Sequence, residues 1–151
     1  MFIKTVDIFQ GFYLNIELFH PEAVMPVRSI NGDAGLDLCV CKKTILQPDI
    51  LTIAHIGIKI EFPIGYAAII KEKSGLALKG IEIKAGVIDH EYRGEVLVLA
   101  KNKSTSPIIL ETGNKIAQML IMPVWTGEPN LVKKVNEDTE RKDNGFGSTG
   151  G

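Results

Sequence analysis

Hydrophobic and polar residues alternate along much of this chain, which is the pattern of half-buried β-strands rather than of helices. The alternation is clear in YLNIEL at residues 13–18 and in IGIKIEF at residues 56–62. Turn signals separate the apolar stretches, for example NGD at 31–33, QPD at 47–49 and TGN at 112–114. Many short strands with frequent turns predict an all-β sandwich or barrel.

Three further stretches are mainly apolar and predict more strands. They lie at residues 66–70, 96–100 and 116–121, and we expect the last two to be buried on both faces. Helix is scarce by comparison. The sequence predicts a single helical turn that begins at Ser74, as the N-cap, and is stopped by Gly80.

The composition narrows the class of protein. The 151 residues suit one domain, and 45% hydrophobic with 23% charged residues is enough for a core without metal or disulfides. A net charge of −1 argues against a nucleic-acid polymer as a partner. No apolar run reaches the roughly 18 residues of a membrane span. No secretory signal is evident, and Cys39 and Cys41 are placed in a strand where they cannot pair, so we expect a reducing compartment, cytoplasmic, nuclear or inside a host cell.

The composition changes near the C-terminus. Residues 136–151 are charged and Gly-rich with one aromatic residue, Phe146, so we expect a β domain over 1–135 and a flexible tail over 136–151. A frayed end would look the same. However, GFGSTG at 145–150 places an aromatic ring and two hydroxyls on a backbone that can bend around an anion.

Two segments carry polar groups suited to a phosphate. In LDL at 36–38, Asp37 interrupts an apolar strand, although a surface carboxylate at a strand edge would look the same. In Lys73-Ser74-Gly75, a cation and a hydroxyl stand at the start of the predicted helical turn. The free N–H groups of such a turn favour an anion, but an ordinary helix cap is an equal alternative.

Two more segments suggest chemistry on a base or on water. Gly86, Val87 and Ile88 precede Asp89 and Tyr92, and we interpret them as a tight hairpin whose backbone could pair with the edge of a nucleobase. Asp89 could take a proton from water. The alternative is a turn aspartate and a packing tyrosine. In the last segment, Gln118 is polar where a strand should be apolar, which a solvent-facing residue also explains.

Together these segments resemble the motifs of the homotrimeric deoxyuridine triphosphatases. The motifs occur in the family's order, as AGLD at 34–37, SGLA at 74–77, GVID at 86–89 with YRG at 92–94, IAQ at 116–118 and GFGSTG at 145–150. The resemblance implies a jelly-roll subunit with a flexible C-terminal lid and a homotrimer with shared active sites. It implies Mg²⁺-assisted hydrolysis of dUTP to dUMP and pyrophosphate, which limits uracil in DNA and supplies dUMP for dTMP synthesis.

The resemblance also implies a role for each matching residue. Asp89 would orient and deprotonate the water that attacks the α-phosphorus. The backbone of Gly86, Val87 and Ile88 would pair with uracil and leave no room for a 5-methyl group. Tyr92 would pack under the deoxyribose and exclude a 2′-hydroxyl.

The remaining matches fall on the phosphates and the lid. Lys73, Ser74, Gly75 and Gln118 correspond to phosphate positions. In the lid, Phe146 would cover uracil, while Arg141, Gly147, Ser148 and Thr149 complete the substrate-binding set toward the γ-phosphate. Mg²⁺ would arrive on the substrate phosphates, with no direct protein ligand and with Asp37 as indirect support.

The chain departs from the family's pattern in two places, and two other functions compete. Lys73 replaces the usual arginine and loses its bidentate fork, and Lys142 follows Arg141 where glycine is usual. Deoxycytidine triphosphate deaminases share the fold but need a glutamate five residues after Gly94, where this chain has Leu99. The other alternative is a regulator that binds dUTP and acts on another protein.

Overall fold

The computed structural model describes residues 11–140 and Lys142. Their strands are β1 (Asn15–Leu18), β2 (Leu36–Cys39), β3 (Thr44–Leu46), β4 (Leu51–His55), β5 (Ile58–Glu61), β6 (Tyr66–Lys71), β7 (Ile81–Lys84), β8 (Val87–Asp89), β9 (Leu97–Asn102), β10 (Ile108–Leu110) and β11 (Lys115–Pro123). A one-turn helix, α1 (Ser74–Ala77), lies between β6 and β7. The fold is all-β, which confirms the prediction from the alternating pattern.

The strands form two larger antiparallel sheets and two strand pairs. One sheet has the order β2-β11-β6-β8 and the other has the order β4-β9-β7. The two pairs are β1 with β5 and β10 with β3. Neighbours in a sheet are distant in sequence, as in β2 and β11, which is typical of a jelly roll.

The core is built from the inward residues of these strands. In β5, Ile58 and Ile60 are buried while Lys59 and Glu61 face outward, as a period of two requires. Phe62 follows directly and is also buried. Each such side chain contributes roughly 1.5–3 kcal/mol by leaving water. The free thiols of Cys39 and Cys41 are buried too, and they are unpaired, as expected.

The expected burial of the two apolar strands was wrong in part. In β9, Val98 and Ala100 are buried, but Leu97 and Leu99 on the other face are only half-buried. In β11, Leu120 and Ile121 are also partly accessible. The reason is that each sheet covers the core with one face only, so a run of apolar residues leaves its second face on the surface of a single chain.

Two local expectations were wrong as well. Lys73, not Ser74, is the N-cap of α1, and no side chain caps the helix. Gly86-Val87-Ile88-Asp89 does not form a hairpin with the strand before it, because β7 pairs with β9 while β8 pairs with β6. Ala85 and Gly86 have φ values of 56° and 95° and turn the chain from one sheet into the other.

Between residue 11 and residue 140, and at Lys142, the structure contains no helix with the length and apolar character to cross a bilayer.

Candidate functional site

Asp37 lies at the centre of a buried charge cluster, so the alternative of a surface carboxylate was wrong. Its side chain is 4% exposed, although it belongs to a strand at the edge of its sheet. The ammonium of Lys115 lies 2.6 Å from one carboxylate oxygen, and the Ser29 hydroxyl donates to the same oxygen at 2.7 Å. The ammonium of Lys73 donates to the other oxygen. The two lysines are therefore held by one shared carboxylate.

The pKa of Asp37 reports the balance of forces in this cluster. Burial by itself raises the pKa of the carboxyl, because it removes water from the charged form. The hydrogen bonds from the two lysines and the serine outweigh burial and lower the pKa from 3.8 to about 2. Asp37 is consequently ionised at neutral pH and keeps both ammonium groups in place.

The two lysines open onto a surface cleft of about 410 Å³, which we call the cationic cleft. Its lining includes Lys73, Ser74, Gly75 and Gln118, so the structure brings together the four residues assigned to phosphates. The other lining residues are Leu76, Lys79 and Lys115. Sequence reasoning missed Lys79 and Lys115 as site residues. Lys115 comes directly before the IAQ motif at 116–118, so a charge beside that motif was the available signal.

Gln118 links strand β11 to the segment before Lys73 by a side-chain hydrogen bond, so the alternative of a solvent-facing strand residue was wrong. Its amide nitrogen donates to the backbone carbonyl of Glu72 at 2.8 Å, just before the Lys73 segment. A side chain at Gly35 would place its Cβ 2.2 Å from the Gln118 amide oxygen. Glycine at position 35 therefore makes room for the glutamine, and the glutamine fixes the start of the helical turn against β11.

A second cleft, of about 280 Å³, lies along β8, and we call it the edge cleft. It brings together all five residues of the third motif that were singled out. They are Gly86, Val87, Ile88, Asp89 and Tyr92. Ile70, Ala85, Glu95, Leu97 and Leu99 complete its lining. The structure therefore brings these five residues to one cleft, although without the predicted hairpin.

Among the residues that the structure describes, the backbone along this cleft has a neighbouring strand on one side only. β8 is the last strand of its sheet, and the Gly86 carbonyl accepts the N–H of Ile70 at 2.8 Å on the side of β6. Because alternate residues of a strand direct their backbone groups to opposite sides, Val87 directs its N–H and C=O away from β6. Within the described residues, the N–H and C=O of Val87 thus lie at a sheet edge that has no neighbouring strand, beside Asp89.

Tyr92 closes the cleft next to Asp89. Its backbone N–H donates to the Asp89 carbonyl at 3.1 Å, and its hydroxyl donates to the Glu95 carbonyl at 3.0 Å. A Cβ at Gly94 would lie 2.3 Å from the tyrosine hydroxyl, so only glycine lets the ring lie across this turn. The ring is therefore positioned within reach of a ligand that occupies the cleft.

The two clefts are separate in one copy of the chain. None of the residues that line the cationic cleft also lines the edge cleft. Asp89 and Tyr92 therefore do not share a cavity with Lys73, Ser74 and Gln118 within the described part of a single chain.

The residues described here do not form a metal cage. In residues 11–140 and at Lys142, no three His, Cys, Asp or Glu side chains lie together in a group that could hold a metal ion. Asp37 already holds two ammonium groups. A divalent ion at this site would therefore have to be held mainly by oxygens of a bound phosphate chain and by water, which is a usual arrangement for Mg²⁺.

Comparison with known proteins gives a consistent result. A family model described as dUTPase matches residues 21–150. The deoxyuridine 5'-triphosphate nucleotidohydrolase of Hydrogenobaculum sp. (strain Y04AAS1) is 42% identical over 141 residues, covering 91% of this chain and 97% of the relative. The protein of the same name from Clostridium novyi (strain NT) is 41% identical over 140 residues, covering 91% of this chain and 98% of the relative.

Solved structures give the same picture. A mutant of the Staphylococcus bacteriophage 80alpha dUTPase with dUpNHpp has a TM-score of 0.86 at 26% identity, covering 91% of this chain and 98% of that chain. A mutant dUTPase from phage phi11 of S. aureus, described with a structural Mg(II) ion, has a TM-score of 0.77 at 24% identity. It covers 82% of this chain and 98% of that one, and at this identity it supports the fold alone.

The Asp37 cluster predicts how stability depends on pH. Because folding lowers the pKa of Asp37 from 3.8 to about 2, the stabilisation is complete above 3.8 and is lost as the pH falls to about 2. The loss should be about 2 kcal/mol, since one pKa unit is worth about 1.4 kcal/mol. Denaturant unfolding across this pH range, on the unchanged chain and on Asp37→Asn, measures it. Identical acid dependence of the two proteins would contradict this account.

Proposed function

Because the chain belongs to the dUTPase family and hydrolyses dUTP to dUMP and pyrophosphate, we propose that the edge cleft and the cationic cleft form the two halves of its active site. The edge cleft would hold the nucleoside, and the cationic cleft would hold the triphosphate. The observation that carries the proposal is the separate grouping of the two residue sets, one around Asp89 and one around Lys73.

Asp89 acts as the general base. It lies at the end of β8, and its backbone carbonyl is bonded to the Tyr92 N–H, which fixes the start of its side chain beside the cleft. The carboxylate orients a water and takes its proton as the water oxygen attacks the α-phosphorus. The bond from the α-phosphorus to the bridging oxygen then breaks, and pyrophosphate leaves.

The free edge of β8 reads the base. The N–H and C=O of Val87 point away from β6, so they offer a donor and an acceptor in the plane of a pairing partner. Uracil presents a complementary carbonyl and N–H on one edge. Gly86 turns the chain into β8, and with Ile88 it would bring this stretch close against the base and leave no room for a 5-methyl group.

Tyr92 reads the sugar. Its ring lies in the same cleft as Asp89 and is held at both ends, by Asp89 and by Glu95. A ring in this position packs against deoxyribose and meets a 2′-hydroxyl as a steric wall. The enzyme would therefore select deoxynucleotides by shape.

The cationic cleft binds the phosphates. Lys73 supplies a charge, Ser74 a hydroxyl that is not used as a helix cap, and Gly75 a backbone N–H at the first turn of α1. Lys115 and Lys79 add to this charge. Because an ammonium is a point charge, the grip of Lys73 relies on these neighbours where arginine would use a fork of two bonds. Gln118 positions the segment through Glu72.

In this arrangement, Mg²⁺ would reach the site already bound to the phosphates of the substrate. The phi11 dUTPase is described with a structural Mg(II) ion, and the family membership supports a magnesium requirement here. When bound, the ion would neutralise charge on the triphosphate oxygens. This chain contributes the lysines of the cationic cleft and the buried Asp37, which supports the region indirectly by fixing those lysines.

The lid completes the proposal. Arg141, Phe146, Gly147, Ser148 and Thr149 lie outside the described residues, so their roles over uracil and the γ-phosphate, and the division of the chain into 1–135 and 136–151, stay predictions. What supports a lid is the motif itself, which follows the β domain and carries an aromatic ring and two hydroxyls.

We further propose a homotrimer whose active sites are shared between copies. The separation of the two clefts supports sharing, because the nucleoside half of one chain needs a phosphate half from elsewhere. The outer face of the three-stranded sheet is apolar and exposed at Leu51 and Ile53, and Leu99 on this face also lines the edge cleft. A second copy covering this face would therefore border the nucleoside site.

The segment after β11 also supports an assembly of several copies. Residues 124–135 have no regular structure and leave apolar side chains exposed. Trp125 is 75% exposed, and Leu131, Val132 and Val135 are exposed as well. Such a segment is unfavourable on an isolated chain and suits an arm that lies on a neighbour.

The buried free thiols of Cys39 and Cys41 fit a reducing compartment such as the cytoplasm.

The competing functions are not favoured. A deaminase of this fold needs a carboxylate at position 99, and Leu99 instead adds an apolar wall to the edge cleft. A regulator that only binds dUTP is not favoured either, because the relatives that match nearly the whole chain carry the name of a hydrolase.

Replacing Asp89 by asparagine tests the catalytic assignment. The amide keeps the shape of the side chain but cannot accept the proton of water, so turnover of dUTP should fall by ~10²–10⁴ while affinity changes only a few-fold. Pyrophosphate release and binding of a non-hydrolysable analogue measure the two quantities. Glu111→Gln is the matched control, because that carboxylate is exposed and lines neither cleft. Turnover of Asp89→Asn at the rate of the unchanged enzyme would show that the base is elsewhere.

Replacing Tyr92 by alanine tests the sugar assignment. Without the ring, the wall against the 2′-hydroxyl is gone, so the ratio of kcat/KM for UTP to kcat/KM for dUTP should rise by about tenfold or more. Steady-state rates on the two nucleotides give the ratio. A ratio equal to that of the unchanged enzyme would exclude Tyr92 as the residue that reads the sugar.

A further inference from the structure

The position of the Tyr92 ring depends on Glu95, whose backbone carbonyl accepts the hydrogen bond from the tyrosine hydroxyl. Tyr92 is 44% exposed as a residue, so burial alone does not fix its side chain. The far end of the side chain is held by one hydrogen bond, from the hydroxyl to the backbone carbonyl of Glu95 at 3.0 Å. Any movement of residue 95 is therefore passed to the ring.

Glu95 is itself held by its carboxylate. One oxygen accepts the backbone N–H of Gly57 at 3.0 Å, and the other lies 2.9 Å from Nδ1 of His55. Because an ionised carboxylate only accepts, Nδ1 carries the hydrogen. Each carboxylate oxygen of Glu95 therefore has a partner within the protein, and the residue also lines the edge cleft.

The turn that anchors Glu95 is rigid. Gly57 has a φ of 75°, and a Cβ there would lie 2.6 Å from the Cβ of His20. The Gly57 carbonyl accepts the N–H groups of Phe19 and His20. His55 ends strand β4, so its backbone is fixed by the sheet. The carboxylate of Glu95 thus connects the turn that carries Tyr92 to the well-fixed backbone at His55 and Gly57.

We propose that Glu95 is a positioning residue that, through His55 and Gly57, fixes Tyr92 and thereby sets how strictly the enzyme excludes ribonucleotides. The inference rests on the proposed role of Tyr92. Glu95 does not touch the reacting atoms, and its carboxylate takes no part in proton transfer. Its influence runs along one chain of contacts, from the Gly57 turn through residue 95 to the tyrosine hydroxyl.

The physical consequence is specific. A ring that is free to move by a fraction of an ångström still packs on deoxyribose, but it no longer forms a fixed wall against a 2′-hydroxyl. Loosening Glu95 should therefore improve UTP as a substrate, mainly through KM, and leave kcat for dUTP nearly unchanged. A residue with only a structural role would lower the melting temperature without changing the ratio of the two substrates.

The experiment compares kcat and KM for UTP and dUTP in a set of variants of the whole chain. Glu95→Ala removes both anchoring bonds and should raise the UTP-to-dUTP ratio of kcat/KM by roughly threefold to tenfold, the factor for about one hydrogen bond. Glu95→Gln should restore the original ratio, because the amide oxygen can accept from Gly57 and the imidazole can present Nδ1 as an acceptor in its other tautomer. Glu111→Ala is the control for loss of a carboxylate outside the clefts.

A double-mutant cycle identifies the route. Tyr92→Phe removes the hydroxyl that reaches Glu95, so it should change the ratio much as Glu95→Ala does. The two changes combined should do little more than either alone, since both break the same chain of contacts. Additive effects on the ratio would overturn the proposal.

The outcomes separate this inference from the function beneath it. If Tyr92→Ala changes the ratio and Glu95→Ala does not, Glu95 is not a positioning residue and the role of Tyr92 stands. If neither changes it, both assignments are wrong. Should Glu95→Ala fail to fold, His55→Ala removes one anchoring bond only. A rise of about twofold in the ratio then supports the proposal, and an unchanged ratio overturns it.

Discussion

Strand β8 is hydrogen-bonded to β6 on one side and has no neighbouring strand on the other among the described residues, and the proposed nucleoside half of the site depends on this constraint. An open edge exposes backbone groups that need a partner. The strand is only three residues long, between a glycine corner and a tight turn, so it offers one donor and one acceptor rather than a surface for another strand. Asp89 and Tyr92 are placed at the end of this edge by the same turn. In the function we propose, base selection, sugar selection and the general base would all depend on this one short piece of backbone.

The phosphate half depends on a buried charge instead. Asp37 is removed from water, yet it stays ionised because two ammonium groups and a hydroxyl bond to it. Without that carboxylate, Lys73 and Lys115 would repel each other across a small cleft. The cluster therefore keeps positive charge concentrated where a triphosphate would be bound, and Gln118 keeps the backbone of the helical turn beside it. Ser74 is left without a capping role, which frees its hydroxyl for a ligand.

Much of this could be predicted from the sequence, and the rest has a physical reason for escaping prediction. Alternation gave the all-β class, and the ordered motifs gave the grouping around Asp89 and around Ser74. The pairing of β8 with β6, rather than with its sequence neighbour β7, was missed because strand pairing is decided by contacts between residues that are far apart in the sequence. Lys115 was missed for the same reason, since Asp37, the residue it contacts, lies far away in the sequence. The hydrogen bond from the Gly57 N–H to the Glu95 carboxylate could not be predicted from the local sequence, because the two residues are far apart in the chain.

The central claim is that a complete active site takes its nucleoside cleft and its phosphate cleft from different copies of the chain. Mixing two inactive variants tests it most directly. Asp89→Asn disables the edge cleft, and a Lys73→Ala, Ser74→Ala double variant disables the cationic cleft. Unfolded together in equal amounts and refolded, they should form mixed assemblies in which about a quarter of the sites combine two intact halves. The account predicts dUTP hydrolysis near that fraction of the unchanged enzyme's rate. Activity no greater than the sum of the two variants refolded separately would place both clefts of each site on one chain and contradict it.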